Sequence, residues 1–270
     1  MVELLEIPFI QNALIGGVIL AVLLSVLSLF IYLKNWSFIN VGISHAAFGG
    51  LAVGFYLGLS PTVFGIIFAV ATGLLIGYIS RKGDIHEDIS IGILFSMSMA
   101  FGVIVITLSP NYNTDLFTFL FGNILTISKG DIILLSGFSV FALGFIAAFF
   151  NKIMYCCYNE EVAYVSGINT PFYYYSLITI IAIATVLSVK LVGVILASAM
   201  MILPAAMANQ IFWHYRKMLV FSVFFSILMV VAGIFISFQY DLPSGATIVL
   251  LYSALFSISV LIKKLIGKAG

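Results

Sequence analysis

Long apolar stretches recur along this chain, each about the length of a helix that crosses a bilayer. They fall near residues 10–33, 40–58, 61–80, 89–108, 131–151, 172–189, 191–211, 218–238 and 245–262. A helix needs about 20 apolar residues to cross roughly 30 Å of hydrocarbon. Charge or proline marks the breaks: Lys34, Ser60-Pro61, Arg81-Lys82 with Asp84, Ser109-Pro110, Lys152, Lys190, Arg216-Lys217 and Asp241-Leu242-Pro243. The pattern predicts an all-α, polytopic integral membrane protein of about nine spans, or eight if the first or second segment does not cross.

One apolar stretch does not fit that set. Residues 115–128, DLFTFLFGNILTIS, are too short to span and would put Lys152 on the wrong side. They are expected to form a re-entrant or surface helix. With Lys34 on the cytoplasmic side, parity carries Arg81-Lys82, Lys152, Arg216-Lys217 and the terminal Lys263, Lys264 and Lys268 to that side too. Only Lys129 and Lys190 of the 11 basic residues fall opposite. The positive-inside rule then orients the amino terminus outside and the carboxyl terminus in the cytoplasm.

Composition narrows the class. Of 270 residues, 63% are hydrophobic and 8% charged, with a mean hydropathy of +1.25. Soluble domains carry roughly 25% charged residues. No polar stretch is long enough to fold separately, so residues 1–270 read as one transmembrane domain in the inner (plasma) membrane. A net charge of +1 offers no basic surface for nucleic acid. Glu3 and Glu6 stand where a secretory signal would carry Lys or Arg, so the first span is expected to be retained. The adjacent Cys156 and Cys157 lack metal-site spacing and read as ordinary thiols.

Glycine is concentrated within spans, as at Gly49, Gly50, Gly54 and Gly58, where small residues allow helices to approach closely. Tyr173, Tyr174 and Tyr175 sit where an interfacial aromatic belt belongs. Titratable groups inside spans are costly and therefore candidates for function. The clearest is His45, in NVGISHAAFGG at 40–50, with Asn40 and Ser44 nearby. It reads either as a hydrogen-bonded packing residue or as a gate that meets a divalent cation, since a neutral imidazole binds metal without burying charge. Asp115 and Asp241, at outer helix ends, are either cation acceptors or solvated cap and turn residues.

The longest polar segment expected on the inner side is 158–171, YNEEVAYVSGINTP. Asn159, Glu160 and Glu161 suit a helix start, and Gly167 and Pro171 suit its end. It is either a short capped helix that docks on a soluble partner or a plain connecting loop. Nothing points to an enzyme: there is no GxxxxGK[ST] loop for nucleotide phosphates and no HExxH helix. Any ATP hydrolysis is expected on a separate chain. No permanently bound cofactor is expected.

Five words, WSFINVGISHAAFGG (36–50), DLFTFLFGNIL (115–125), NEEVAYVSGI (159–168), KLVGVILASAMMILPAAMA (190–208) and YDLPSGATIVL (240–250), occur in one order and spacing. By these the chain resembles the permease subunits of zinc, manganese and iron ABC importers over nearly its full length. The resemblance implies a homodimer enclosing the translocation path, two ATPase subunits beneath it, and an extracytoplasmic metal-binding protein that delivers the substrate, a divalent metal ion. It assigns the segment near 158–170 to the cytoplasmic coupling helix, and Asn159, Glu160, Glu161 and Gly167 to ATPase coupling. The metal path would pass His45, Asp115 and Asp241. The family's motif has an aspartate one helical turn before the histidine, where this chain has Val41, which leaves His45 with Asn40, Ser44 or the other protomer as gate neighbours. The rival readings are a secondary transporter driven by an ion gradient and a non-transporting scaffold or receptor. The first of these usually needs mid-span carboxylates, which these spans lack.

Overall fold

The computed structural model describes residues 8–83, 87–108, 124 and 127–266. Among these, the long elements are all helices: α1 Pro8–Leu33, α2 Ile39–Leu57, α3 Pro61–Gly83, α4 Glu87–Thr107, α5 Lys129–Tyr158, α6 Glu160–Val165, α7 Thr170–Ile211, α8 Tyr215–Gln239 and α9 Ser244–Ile266. All except α6 are long and apolar enough to cross a membrane, eight among the described residues. Helices suit this solvent because they satisfy their backbone groups internally.

Among the described residues there are eight such helices where nine were expected: the first two segments are both present, but 172–189 and 191–211 run together as α7, and two boundaries move. The 42-residue α7 would measure about 63 Å if straight, twice the hydrocarbon thickness. It is broken at Gly193, where φ is 80° and ψ is 165°, a conformation open essentially to glycine alone. The sequence placed this break at Lys190. A lysine can run its stem toward the headgroups without interrupting the helix, so the backbone breaks where glycine permits it. Lys152 likewise does not end a helix: α5 continues to Tyr158, with its one non-helical residue at Phe149.

Two compact units divide the chain, each assembled from separated segments. The first comprises residues 1–33, 118–145 and 191–270. Here α1 packs on α8 through Gly17, where an added Cβ would lie 2.8 Å from Val230. Phe9 meets Phe238 with ring centroids 6.3 Å apart. Pro204 lies inside α7 and cannot donate to its helix. The buried Ser28 of α1 reinforces this point, accepting from the Ala205 N–H at 3.1 Å and donating to the Ile202 carbonyl at 3.4 Å. α8 is joined to α9 by a buried hydroxyl pair, Ser226 and Tyr252, at 2.6 Å. The stretch expected to form a re-entrant or surface helix, 115–128, lies outside the described residues except for 124, 127 and 128. Of these, Ile124 and Ile127 are buried against Gly17 and Gly16 of α1.

The second unit comprises residues 34–117 and 146–190. Its centre is α2, which carries the small residues singled out in the sequence. An added Cβ at Gly42 would stand 2.6 Å from Ile91 of α4, and at Gly49 3.0 Å from the Ser98 carbonyl. At Gly54 it would stand 2.6 Å from Pro61 of α3, and at Gly50 it would strike the Phe64 carbonyl. Gly73 and Gly77 of α3 admit Ile178 and Tyr174 of α7 in the same way, each at 2.8 Å. Glycine spacing therefore sets how closely α2, α3, α4 and the first part of α7 pack.

Candidate functional site

Residues 40, 41, 44 and 45 of α2 divide between two faces because successive positions lie about 100° apart. Asn40 and Ser44 are fully buried. The Thr185 hydroxyl of α7 donates to the Asn40 side-chain oxygen at 2.7 Å, and the Ser44 hydroxyl donates to the Asn40 backbone carbonyl at 2.7 Å. Ser188 continues the polar ladder by donating to the Thr185 carbonyl at 2.9 Å. Val41 and His45 sit on the neighbouring face, both half-buried. The His45 ring rests edge-on against Phe95 of α4, with centroids 4.7 Å apart and planes at 88°.

This geometry separates the expected gate neighbours by role. Asn40 spends its side-chain oxygen on holding α2 against α7 and Ser44 bonds back within α2, whereas Val41 shares the His45 side and its side chain brings no oxygen. Among the described residues no group of three His, Cys, Asp or Glu side chains is placed to hold a metal ion. A half-exposed imidazole on an aromatic rest suits brief contact with a passing divalent cation more than a stable chelate.

Asp241 lies in the other compact unit, exposed in the turn between α8 and α9, with φ at 50°. The turn is closed by the Leu242 N–H donating to the Ser237 carbonyl at 3.0 Å and by the Ser237 hydroxyl donating to the Leu242 carbonyl at 2.6 Å. Aspartate tolerates this left-handed conformation better than most residues, which gives Asp241 a turn role. Asp115 lies outside the described residues.

The segment expected to dock on a partner forms the six-residue α6. The Asn159 side-chain oxygen caps it, accepting from the Val162 N–H at 3.0 Å. Ser166 donates back to the Val162 carbonyl at 2.8 Å, and Gly167 closes the end with φ at 78°. Glu161, Val162, Tyr164 and Val165 are exposed, Val165 to 86%, while Ala163 is buried. Glu160 turns the other way. Its carboxylate pairs with Arg81 at the end of α3 at 2.5 Å and with Lys34, before α2, at 3.5 Å. These three chain segments therefore come together at one end of their helices.

The profile of the ABC 3 transport family matches residues 6–263. This chain belongs to that family. Relatives of the ABC 3 chain include the manganese transport system membrane protein MntC of Halalkalibacterium halodurans, 32% identical over 95% of this chain and 88% of that protein. A Haemophilus influenzae protein named "Probable iron transport system membrane protein" is 30% identical over 98% and 97%. Among solved structures, PsaBC from Streptococcus pneumoniae in complex with Fab superposes with a TM-score of 0.84 at 33% identity, covering 96% of this chain and 93% of that one. The ABC 3 chain is accordingly the multi-pass permease subunit of a transporter, which is the class its sequence words implied.

Sequence reasoning missed the surroundings of Glu160 in this permease. Lys34 and Arg81 had served only as topology markers, and Val162, Tyr164 and Val165 were not singled out within the segment expected to dock. A signal was available for the second group: three large apolar residues in a six-residue segment flanked by polar ends. For the first there was none, because residues 34, 81 and 160 are brought together only by folding.

Proposed function

We propose that this permease forms the metal path of an ATP-driven importer whose substrate is a divalent transition metal, manganese foremost. The reading is supported by relatedness along nearly the whole chain to a protein named for manganese transport. Two copies would enclose the path, with one ATPase docked on each α6 and an extracytoplasmic protein delivering the metal from the opposite side. The amino terminus would lie outside and the carboxyl terminus in the cytoplasm, and hydrolysis would belong to the ATPase alone.

The observation that carries the coupling role is α6 itself: a short helix, capped at both ends, that presents Val162, Tyr164 and Val165 outward. Exposed apolar residues outside the spans are fitted to a protein partner. His45 would act as a transient ligand along the path, resting on Phe95. Asp241 and Asp115 remain the proposed acidic groups of the outer rim.

The deciding experiment is uptake of Mn²⁺ into proteoliposomes that contain the permease, its ATPase and its binding protein. Uptake should require ATP and the binding protein and should stop when the ATPase is hydrolysis-deficient. Uptake without ATP that instead follows an imposed proton or sodium gradient would overturn the reading.

A further inference from the structure

We propose that Glu160 is a positioning residue: it ties the docking helix to the start of α2 and the end of α3, so that motion of α6 reaches the helix that carries His45. This rests on the transport role proposed above and adds to it a route through named side chains.

The tie has three parts. The Glu160 carboxylate lies between two cations, with Arg81 Nη2 at 2.5 Å and Lys34 Nζ at 3.5 Å. Both cations stand over the Tyr174 ring, Arg81 at 4.9 Å and Lys34 at 5.4 Å from its centroid. Tyr174 in turn meets Trp36 edge-to-face, with centroids 5.2 Å apart, and Trp36 is completely buried. Two cations that share one carboxylate and rest on one aromatic face form a network, which holds its members better than a lone surface ion pair.

What the tie holds is placed to move His45. The Trp36 carbonyl accepts from the Ile39 N–H at 3.0 Å, and Phe38 accepts from Gly42 at 3.0 Å, so the segment holding Lys34 and Trp36 runs directly into α2. His45 is two turns further along. Gly77 of α3 allows Tyr174 to approach, with a would-be Cβ only 2.8 Å from its ring, which links the Arg81 end of α3 to the same ring.

The helix does not need Glu160 to form. Asn159 and Ser166 hold α6 by their own hydrogen bonds. The adjacent Glu161 is exposed. Two neighbouring glutamates thus differ in role: Glu161 lies on the partner-facing side, and Glu160 faces inward as the connection.

The test uses the complete transporter, permease with its ATPase and binding protein, in proteoliposomes, with Mn²⁺ as the probe and Mn²⁺ carried per ATP hydrolysed as the readout. Glu160→Gln should lower that ratio at least tenfold, and Arg81→Gln should do the same. The double variant should be no worse than the poorer single, because both changes break one connection. Arg81→Lys, which keeps the charge, should retain at least half of the native ratio, and Lys152→Gln, away from the tie, should leave it native. Hydrogen exchange on the same complex should quicken at 36–42 in Glu160→Gln while α6 stays protected. If Glu160→Gln fails to assemble, Lys34→Gln replaces it and should show a smaller loss in the same direction. An unchanged ratio in the variant that assembles, additive losses in the double, or unchanged exchange at 36–42 would overturn the proposal. Absence of ATP-dependent Mn²⁺ uptake by the native complex would instead reject the transport role, and the exchange experiment would still judge the tie.

Discussion

Thr185 donates to the side-chain oxygen of Asn40 at 2.7 Å, and this buried bond between α7 and α2 holds α2 at one rotation. His45, five positions after Asn40, is thereby held on the half-exposed face against Phe95. Thr185→Val keeps the side-chain shape and deletes the donor. A bond of this kind between membrane helices contributes about 0.6–2 kcal/mol, so the variant should melt a few degrees lower in detergent. Scanning fluorimetry of the purified permease would check this, and an unchanged melting point would show that the bond does not restrain α2.

His45→Ala should slow Mn²⁺ uptake several-fold while leaving the permease folded, since among the described residues the half-buried imidazole rests on Phe95 through a ring contact. Initial uptake rates in proteoliposomes measure this. Rates equal to native would remove His45 from the path without touching the transporter class.

Val41→Asp would place a carboxylate one turn before His45 on the same side of α2. A charged ligand beside the imidazole should hold Mn²⁺ more tightly, lowering KM about tenfold and, because release then slows, lowering kcat as well. An aspartate within a span costs about 2.5–3.5 kcal/mol, so a reduced yield of folded protein is expected alongside. Uptake kinetics with unchanged KM would show that position 41 does not face the metal.

At Gly193, φ of 80° with ψ of 165° excludes a side chain without strain of about 1–3 kcal/mol. Gly193→Ala should therefore lower thermal stability and the fraction of monodisperse protein on size-exclusion chromatography. Equal behaviour of the two proteins would mean that the break in α7 is not required.

Docking through α6 predicts that Val165→Asp, a charge placed on an 86% exposed apolar position, should abolish co-purification of the ATPase. Asn159→Ala removes a helix cap of about 1 kcal/mol and should weaken the same association more mildly. Pull-down with a tagged ATPase would separate these outcomes, and full retention by Val165→Asp would place the docking surface elsewhere.

The solvent and the class were legible in the chain alone. Runs of about 20 apolar residues have no stable alternative to membrane helices, and the charge parity between them grouped Lys34, Arg81 and the α6 segment, which Glu160 joins in the fold. The start of α6 was also legible, because Asn159 followed by two glutamates is a local capping signal satisfied within four residues. Where backbones break and which polar side chains face one another emerge from the packing of the helices. Lys190 and Lys152 looked like helix ends, yet a long cationic side chain escapes to the interface without disturbing its helix, and the breaks fall at Gly193 and Phe149. Asn40, Ser44 and Glu160 looked like site residues, yet Asn40 and Glu160 bond to partners 145 and 79 or more positions away, Thr185, Arg81 and Lys34. Pairings across that separation leave no periodic trace in the chain, because they depend on helix packing set by glycines whose neighbours are far away in sequence.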